Sequence, residues 1–181
     1  NVLGGGTTIN SQIYMRGREE DYNEWNKILR VNNDTVDWSW NSVLPYFKDM
    51  ENNERLENKY HGKKGKLNIS DSKYVHPLTY DFINSVSNLG IKKTNDFNGE
   101  FQKGVGKYQF MNSKGQRSSA ANAFIDPEIN NQNLNLKLNS KVTKIIIENS
   151  KAVGVEYVDV KGVKKKIFAN NEVILAAGSF V

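Results

Sequence analysis

Three consecutive glycines, Gly4, Gly5 and Gly6, lead into Thr7-Thr8-Ile9-Asn10-Ser11-Gln12-Ile13, the stretch whose residue types most readily do chemistry. Glycine has no Cβ, so such a bend takes positive φ and lets a ligand touch main chain. Thr7 or Thr8 then caps a short helix whose first N–H groups have no partner within the helix. That is a site for an anion or for the polar edge of a ring. The same residues also suit a tight turn that binds nothing, and the glycines alone do not choose between the two. The other reactive residues form no self-sufficient catalytic set. There is no cysteine, and the two histidines, His61 and His76, lie in loop-like sequence without metal-ligand spacing. His61 reads as a turn residue rather than a base, and His76 before Pro77 likewise. Glu19 and Glu20 suit the dipole of a helix's first turn. No serine sits in a Gly-x-Ser-x-Gly elbow. Nothing here calls for hydrolysis, phosphoryl transfer or metal chemistry.

The elements that must hold this stretch follow from periodicity. Residues 18–29 put Tyr22, Trp25 and Leu29 at helical spacing behind an acidic first turn. Ser39 is expected to cap a second helix with Val43, Leu44, Phe47 and Met50 inside, Pro45 near its first turn, and Trp38 and Trp40 as packing. Residues 51–66 are charged, Asn-rich and read as an exposed loop, ending in a short strand at 66–70. Pro77 opens a third helix, with Leu78, Phe82, Ile83, Val86 and Leu89 expected inside and Gly90 as its stop. Residues 91–106 read as loop, with Gly104-Val105-Gly106 as a turn; Val105, Tyr108 and Phe110 then form an edge strand. Residues 115–124 read as a capped helix start, ended before Pro127, on which Arg117 pairs at the surface rather than meeting a phosphate or carboxylate. The last third is β. Residues 134–138 alternate, and 141–148, 152–160 and 163–169 form an antiparallel meander, since two- or three-residue connections cannot make parallel crossovers. Residues 171–178 are continuously apolar with small residues at the end, as in a parallel strand buried on both faces that a ligand approaches from its C-terminal end.

The totals set bounds. The chain has 181 residues, 38% of them apolar, enough for one ordinary domain or parts of two. It has no run near 18 apolar residues and no charged-then-apolar leader, so neither a membrane span nor a signal peptide is read. It starts without methionine inside a functional-looking loop and reads as an internal segment of a longer protein. The net charge of +5 comes from scattered lysines, with clusters at Lys161–Lys166 and Lys63-Lys64. Neither cluster is interleaved with aromatic residues, so both read as solvated faces and no nucleic-acid partner is expected. Without cysteine there are no disulfides, and the compartment stays open. Two Asn-x-Ser/Thr sequons, at Asn33 and Asn68, occur in a chain rich in Asn.

The ordered motifs carry a resemblance. Asn1-x-Leu3-Gly4-Gly5-Gly6-Thr7-x-Ile9-Asn10, then Tyr14, Arg16-Gly17 and Asp21-Tyr22, resemble the first signature of the glucose–methanol–choline (GMC) flavoprotein oxidoreductases. The likeness runs on through Trp38-Ser39-Trp40, Val43-Leu44-Pro45-Tyr46-Phe47-Lys48, Tyr60-His61-Gly62, Asp96-Phe97-Asn98-Gly99, Gly104-Val105-Gly106, the Arg117–Ala121 run, Ala152–Tyr157 and Glu172–Gly178. It covers essentially the whole chain in collinear order.

The resemblance implies an α/β fold with an α+β excursion. It would be a partial FAD/NAD(P)-binding Rossmann-like domain with an antiparallel meander, plus part of a substrate or cap domain. The implied division is 1–30 and 116–181 for the FAD-binding domain and 31–115 for the excursion. The implied function is that of a fragment of an FAD-dependent oxidoreductase acting on CH–OH groups, with an alcohol substrate and an electron acceptor as partners. Its cofactor-binding residues, carried over position by position, are Val2, Gly6, Asn10, Ser11, Gln12, Ile13 and Val142. Asn10 can donate and accept at a ring edge, and the N–H groups from Ser11 to Ile13 can face flavin heteroatoms. Some family members bond FAD covalently through a His just before the matching Asn; Ile9 stands there, so non-covalent FAD is expected. The family's dinucleotide fingerprint belongs before residue 1, its second signature begins near Gly178-Ser179, and its catalytic His lies beyond, so no catalytic residue is assigned and the segment alone is expected to be inactive. Two alternatives stand beside this reading: a hydroxynitrile-lyase-like enzyme with structural FAD, and a non-catalytic module whose basic turns bind an acidic partner.

Overall fold

A computed structural model describes residues 2–32 and 34–178. Asn33 of the first sequon, and Ser179 where a second signature is expected, lie outside them. The chain forms two compact units, Asn1–Asn131 and Gln132–Val181.

In the first unit, a short turn of helix α1 (Gly6–Ile9) precedes an extended segment and α2 (Glu19–Val31). The first turn of α2 carries Glu19, Glu20 and Asp21, and Asp21 closes a capping box with Arg18. Helix α3 (Trp40–Met50) follows Ser39. Ser39 makes no side-chain cap; Asp37 accepts from the Ser39 N–H at 3.0 Å and the Ser42 hydroxyl at 2.6 Å instead. Pro45 lies inside α3 rather than in its first turn. Trp40 is buried against Tyr22 and Phe47, whereas Trp38 stays 43% exposed.

Residues 51–53, expected in an exposed loop, form instead the buried strand β1 (Glu51–Asn53), parallel to β2 (Leu67–Ile69). Polar composition does not keep them out of the interior, because each side chain finds partners there. Met50 packs against a core of Tyr14, Leu67, Ile69, Met111 and Ala123. Helix α4 (Pro77–Asn88) begins where expected, with His76 Nδ1 accepting from the Leu78 N–H. Its apolar stripe, however, is open: Leu78, Phe82 and Leu89 are exposed and only Ile83 and Val86 are half-buried. Periodicity and capping make the helix; burial needs a facing surface, and that is a separate condition.

Phe110 makes only isolated bridges, to Ile13 and Ser70. Strands β3 (Asn112–Ser113) and β4 (Gln116–Arg117) form a hairpin through Lys114 and Gly115, both at positive φ as a two-residue turn requires. The helix expected from residue 115 therefore starts only at a π-turn over Ala121–Ile125, followed by a 3-10 turn over Asp126–Glu128 that includes Pro127 near its start.

The second unit is the expected meander of β5 (Lys141–Glu148), β6 (Lys151–Val158) and β7 (Lys164–Phe168), antiparallel throughout. Asn149 and Ser150 turn the first connection at positive φ. Residues 134–138 and 172–176 are not strands. No described strand offers either a ladder, and Ile174 and Leu175 remain 79% and 71% exposed; an apolar run is a strand only once its backbone is paired.

A buried ionic network ties the first unit together. The Glu51 side chain is fully buried and accepts from four donors. These are Arg16 Nη2, Asn53 Nδ2 at 2.7 Å, His61 Nδ1 at 2.8 Å and the Gly62 N–H at 3.2 Å. The other ring nitrogen of His61 lies 3.0 Å from Asp96 Oδ2, so each ring nitrogen faces a carboxylate, an arrangement that favours the imidazolium form. Burial by itself would lower the His61 pKa, but hydrogen bonds to Asp96 and Glu51 outweigh it and raise the value. Burial likewise pushes Glu51 and Asp96 up, and their bonds to His61 and to neighbouring N–H groups bring both below the ordinary carboxylate range. Gly62 lets this loop in: a Cβ there would lie 2.1 Å from the Lys48 carbonyl oxygen.

Two outcomes follow for the first unit. Glu51→Ala strands Arg16 and His61 in the interior and is expected to cost about 3–5 kcal/mol in urea unfolding, a loss expected to be far smaller at an exposed pair such as Lys66–Glu128. The raised His61 pKa adds stability that is complete below its ordinary value of 6.5 and fades as pH rises through the folded value. The lowered carboxylates add stability present above their ordinary values and lost as pH falls through the folded ones. Stability is therefore greatest between about pH 5 and the His61 ordinary value, and His61→Gln should flatten the alkaline side of a pH–stability profile.

Candidate functional site

The triglycine bend is fixed from behind and bare in front. Gly4 and Gly5 have φ of 83° and 54°. The Gly5 N–H donates to the Val2 carbonyl at 3.0 Å, closing the turn. Thr8 Oγ1 donates to the Leu3 carbonyl at 2.7 Å and the Thr7 hydroxyl to the Gly4 carbonyl. Thr7 Oγ1 also accepts from the Ala120 N–H at 2.9 Å. The two threonines thus fold back on the bend itself and do not cap α1. A Cβ on Gly4 would lie 2.5 Å from Thr8 Oγ1 and 3.1 Å from the Ala121 nitrogen, whereas one on Gly5 or Gly6 would meet nothing within 4 Å. Gly4 is the packed side and Gly5-Gly6 the open side.

Beyond α1 the chain passes through Asn10 to Ile13. Asn10 Oδ1 accepts from the Gln12 N–H at 2.9 Å and from Arg117 Nη1 at 2.9 Å. The same Arg117 nitrogen donates to the Thr7 carbonyl at 3.0 Å. Gln12 is held at a φ of 63°, a conformation costing about 1–3 kcal/mol for a residue with a side chain. Its carbonyl accepts from the Met111 N–H at 2.7 Å, and the Tyr14 N–H donates to the Gln109 carbonyl at 2.9 Å. Between them Ile13 faces Phe110 as a non-hydrogen-bonded pair. Among the described residues, the N–H groups of Ser11 and Ile13 and Asn10 Nδ2 donate to nothing. A recess of about 240 Å³ lined by Gln12, Ser70, Asp71 and Phe110 adjoins this segment. A larger one of about 470 Å³, lined by Arg55, Asp71, Tyr74, His76, Tyr108 and Phe110, shares a wall with it.

The backing of this segment is the ionic network. Gln109, whose carbonyl holds Tyr14, exchanges hydrogen bonds with Asn53 at 2.8 and 3.1 Å and donates to Asp71 at 3.0 Å. Asn98 accepts from the Arg16 N–H at 2.8 Å and donates to the Tyr14 carbonyl at 2.9 Å. Residues 12–16 are thus pinned at both ends, while Asn10, Ser11 and Ile13 keep unused donors.

Of the sequence-predicted site residues, Val2, Gly6, Asn10, Ser11, Gln12 and Ile13 lie along this one bend of the first unit. Val2, Gly6, Asn10, Ser11 and Ile13 are exposed and Gln12 is half-buried. Val142 belongs to the second unit, in β5 opposite Tyr157, just before a bulge that leaves Thr143 out of the ladder register. Sequence reasoning missed Arg117, expected to pair at the surface. It also missed His61 as an ionic hub, since a lone His between Tyr60 and Gly62 gives no sign of the two carboxylates that flank it.

The sequence matches the family profile described as GMC oxidoreductase over residues 1–181. It is 37% identical over 181 residues to the alcohol dehydrogenase [acceptor] of Pseudomonas putida, covering 98% of this chain and 32% of that protein. It is 34% identical over 178 residues to the mitochondrial choline dehydrogenase of Mus musculus, covering 98% and 29%. The chain therefore spans about a third of the length of the curated relatives it matches. Among solved structures, an FAD-dependent oxidoreductase from Chaetomium thermophilum superposes with a TM-score of 0.83 at 26% identity, over 93% of this chain and 31% of the other. The mixed helix-and-strand architecture is thus that of part of a Rossmann-like α/β oxidoreductase.

Gln12 gives a direct check on the bend. Gln12→Gly should be neutral or stabilising by up to about 1 kcal/mol, and Gln12→Val destabilising by about 1–2 kcal/mol, because glycine relieves the strain of this φ and a β-branched side chain adds to it. Equal effects in thermal or urea unfolding would contradict the assigned conformation.

Proposed function

This chain belongs to the GMC oxidoreductase family, and we propose that it forms part of an FAD-dependent enzyme that oxidises CH–OH groups. Its partners are a small-molecule alcohol and an electron acceptor. The observation that carries the reading is the bend at Gly5-Gly6, open where a Cβ would meet nothing, followed by three unspent donors at Asn10, Ser11 and Ile13. A flat ring with acceptor atoms on its edge fits that combination: no side chain keeps it from the backbone, and each donor supplies a hydrogen bond that water otherwise takes.

On this reading Val2, Gly6, Asn10, Ser11, Gln12 and Ile13 of the first unit, and Val142 of the second, are the FAD-binding residues that the family resemblance implies. The bound flavin would supply the two-electron chemistry, accepting a hydride from the carbinol carbon. The residues of this chain bind and orient; none is assigned to move a proton. Ile9 is 76% exposed and aliphatic, with no heteroatom to bond a flavin, which supports non-covalent attachment. Residues 1–30 and 116–181 are assigned to the FAD-binding domain and 31–115 to the substrate excursion. The bonds from Arg117 and Ala120 to Thr7 support rejoining the first and third segments. No helix among the described residues is long and apolar enough to cross a membrane.

The test is spectral. Protein carrying this chain in its full-length context should show flavin absorbance that bleaches when a primary alcohol is added anaerobically, and acid precipitation should release all flavin to the supernatant. Flavin retained in the pellet would contradict non-covalent binding, and bound flavin that no alcohol bleaches would contradict the oxidoreductase reading.

A further inference from the structure

Arg117 has a position that neither the family match nor the carried-over residues assign. It is half-buried on β4, and one nitrogen, Nη1, donates both to the Thr7 carbonyl at 3.0 Å and to Asn10 Oδ1 at 2.9 Å. The partners lie 110 and 107 residues earlier in the chain. Asn10 Oδ1 also accepts from the Gln12 N–H at 2.9 Å. An amide oxygen has two lone pairs, so both are taken. Its amide nitrogen, on the other side of the same plane, has no partner among the described residues.

We infer that Arg117 is a positioning residue that locks the Asn10 side chain with its NH2 group outward, so that Asn10 presents a donor and never an acceptor to whatever lies on the bend. A free asparagine offers either end, because its two ends are nearly the same shape. With Arg117 on the oxygen, turning the amide over would set an NH2 group against a guanidinium and against the Gln12 N–H, placing donor against donor. The charge on Arg117 also polarises the amide and strengthens the outward N–H as a donor. The ligand atom opposite Asn10 must therefore be a hydrogen-bond acceptor, a ring carbonyl oxygen or an unprotonated ring nitrogen. The inference rests on the proposed flavin reading for the identity of that ligand, but the amide's orientation does not.

The experiment is a double-mutant cycle on FAD binding by the full-length protein, read by quenching of flavin fluorescence and by the visible flavin spectrum. Arg117→Met should weaken FAD binding about 10-fold, the usual size for a charge-assisted bond, and shift the flavin absorbance band. Because Arg117 acts through Asn10, the double variant R117M/N10A should bind no more weakly than N10A alone. Arg117→Lys keeps a cation at this position and should restore binding to within about 3-fold of wild type; should R117M not fold, R117Q, which loses the charge, and R117Q/N10A are compared in the same way. Effects of the two substitutions that multiply, or an R117M protein with wild-type affinity and spectrum, would overturn the positioning role. Wild-type protein that takes up no FAD would instead overturn the flavin reading itself, a result the binding curve shows before any variant is made.

Discussion

Burial of the Glu51 carboxylate is the constraint on which the first unit depends. A charged group with no exposed surface is tolerable only when its acceptor sites are filled, and here four donors from three parts of the chain fill them. Arg16 comes from the segment behind the bend, Asn53 from the same strand, and His61 and Gly62 from the loop between β1 and β2. His61 then recruits Asp96. The arrangement is no evidence that ion pairs outdo apolar packing, since a well-packed apolar replacement of a whole buried network is often as stable. What it supplies is uniqueness of position, because each member has one place where its bonds are complete.

That fixity is what the open bend needs. Residues 12–16 are tied to Gln109 and Met111 on one side and to Asn98 and the ionic network on the other, so Gln12 holds a backbone conformation that few non-glycine residues adopt. The cost of that strain is met by bonds made elsewhere, and the gain is a main chain whose donors at Ser11 and Ile13 stay unpaired at fixed positions. A binding surface made of backbone carries no side-chain entropy to lose when a ligand arrives. Gly4, packed against Thr8 and Ala121, and Gly5, with open space before it, divide the same bend into an anchor and a face.

How much of this was legible in the sequence depends on the range over which each feature is decided. The meander was legible because alternation and short turns are local, and β5, β6 and β7 fall within a few residues of the expected spans. Helix starts were legible at Pro77 and around Glu19 for the same reason. The burial of Glu51 and Asn53 was not, since their partners are spread from Arg16 to Gln109, and composition reads a charged Asn-rich stretch as exposed. The stripe on α4 was correctly periodic, yet periodicity says nothing about what faces it. Arg117 could not be placed because the oxygens it holds lie over a hundred residues away. The family resemblance goes beyond local physics: the ordered motifs imply the bend and Val142 on the meander as FAD-binding positions, and that assignment stands as a proposal.

On the proposed reading, the main chain after the three glycines is left bare for a ring to rest on. Amide hydrogen exchange of the full-length protein with and without FAD tests it most directly, because the N–H groups of Ser11 and Ile13 have no described partner and so exchange fast unless a ligand takes them. FAD should slow exchange at these two amides while the already bonded amides of Tyr14 and Met111 stay protected throughout. Exchange at Ser11 and Ile13 that stays fast in FAD-saturated protein would contradict it.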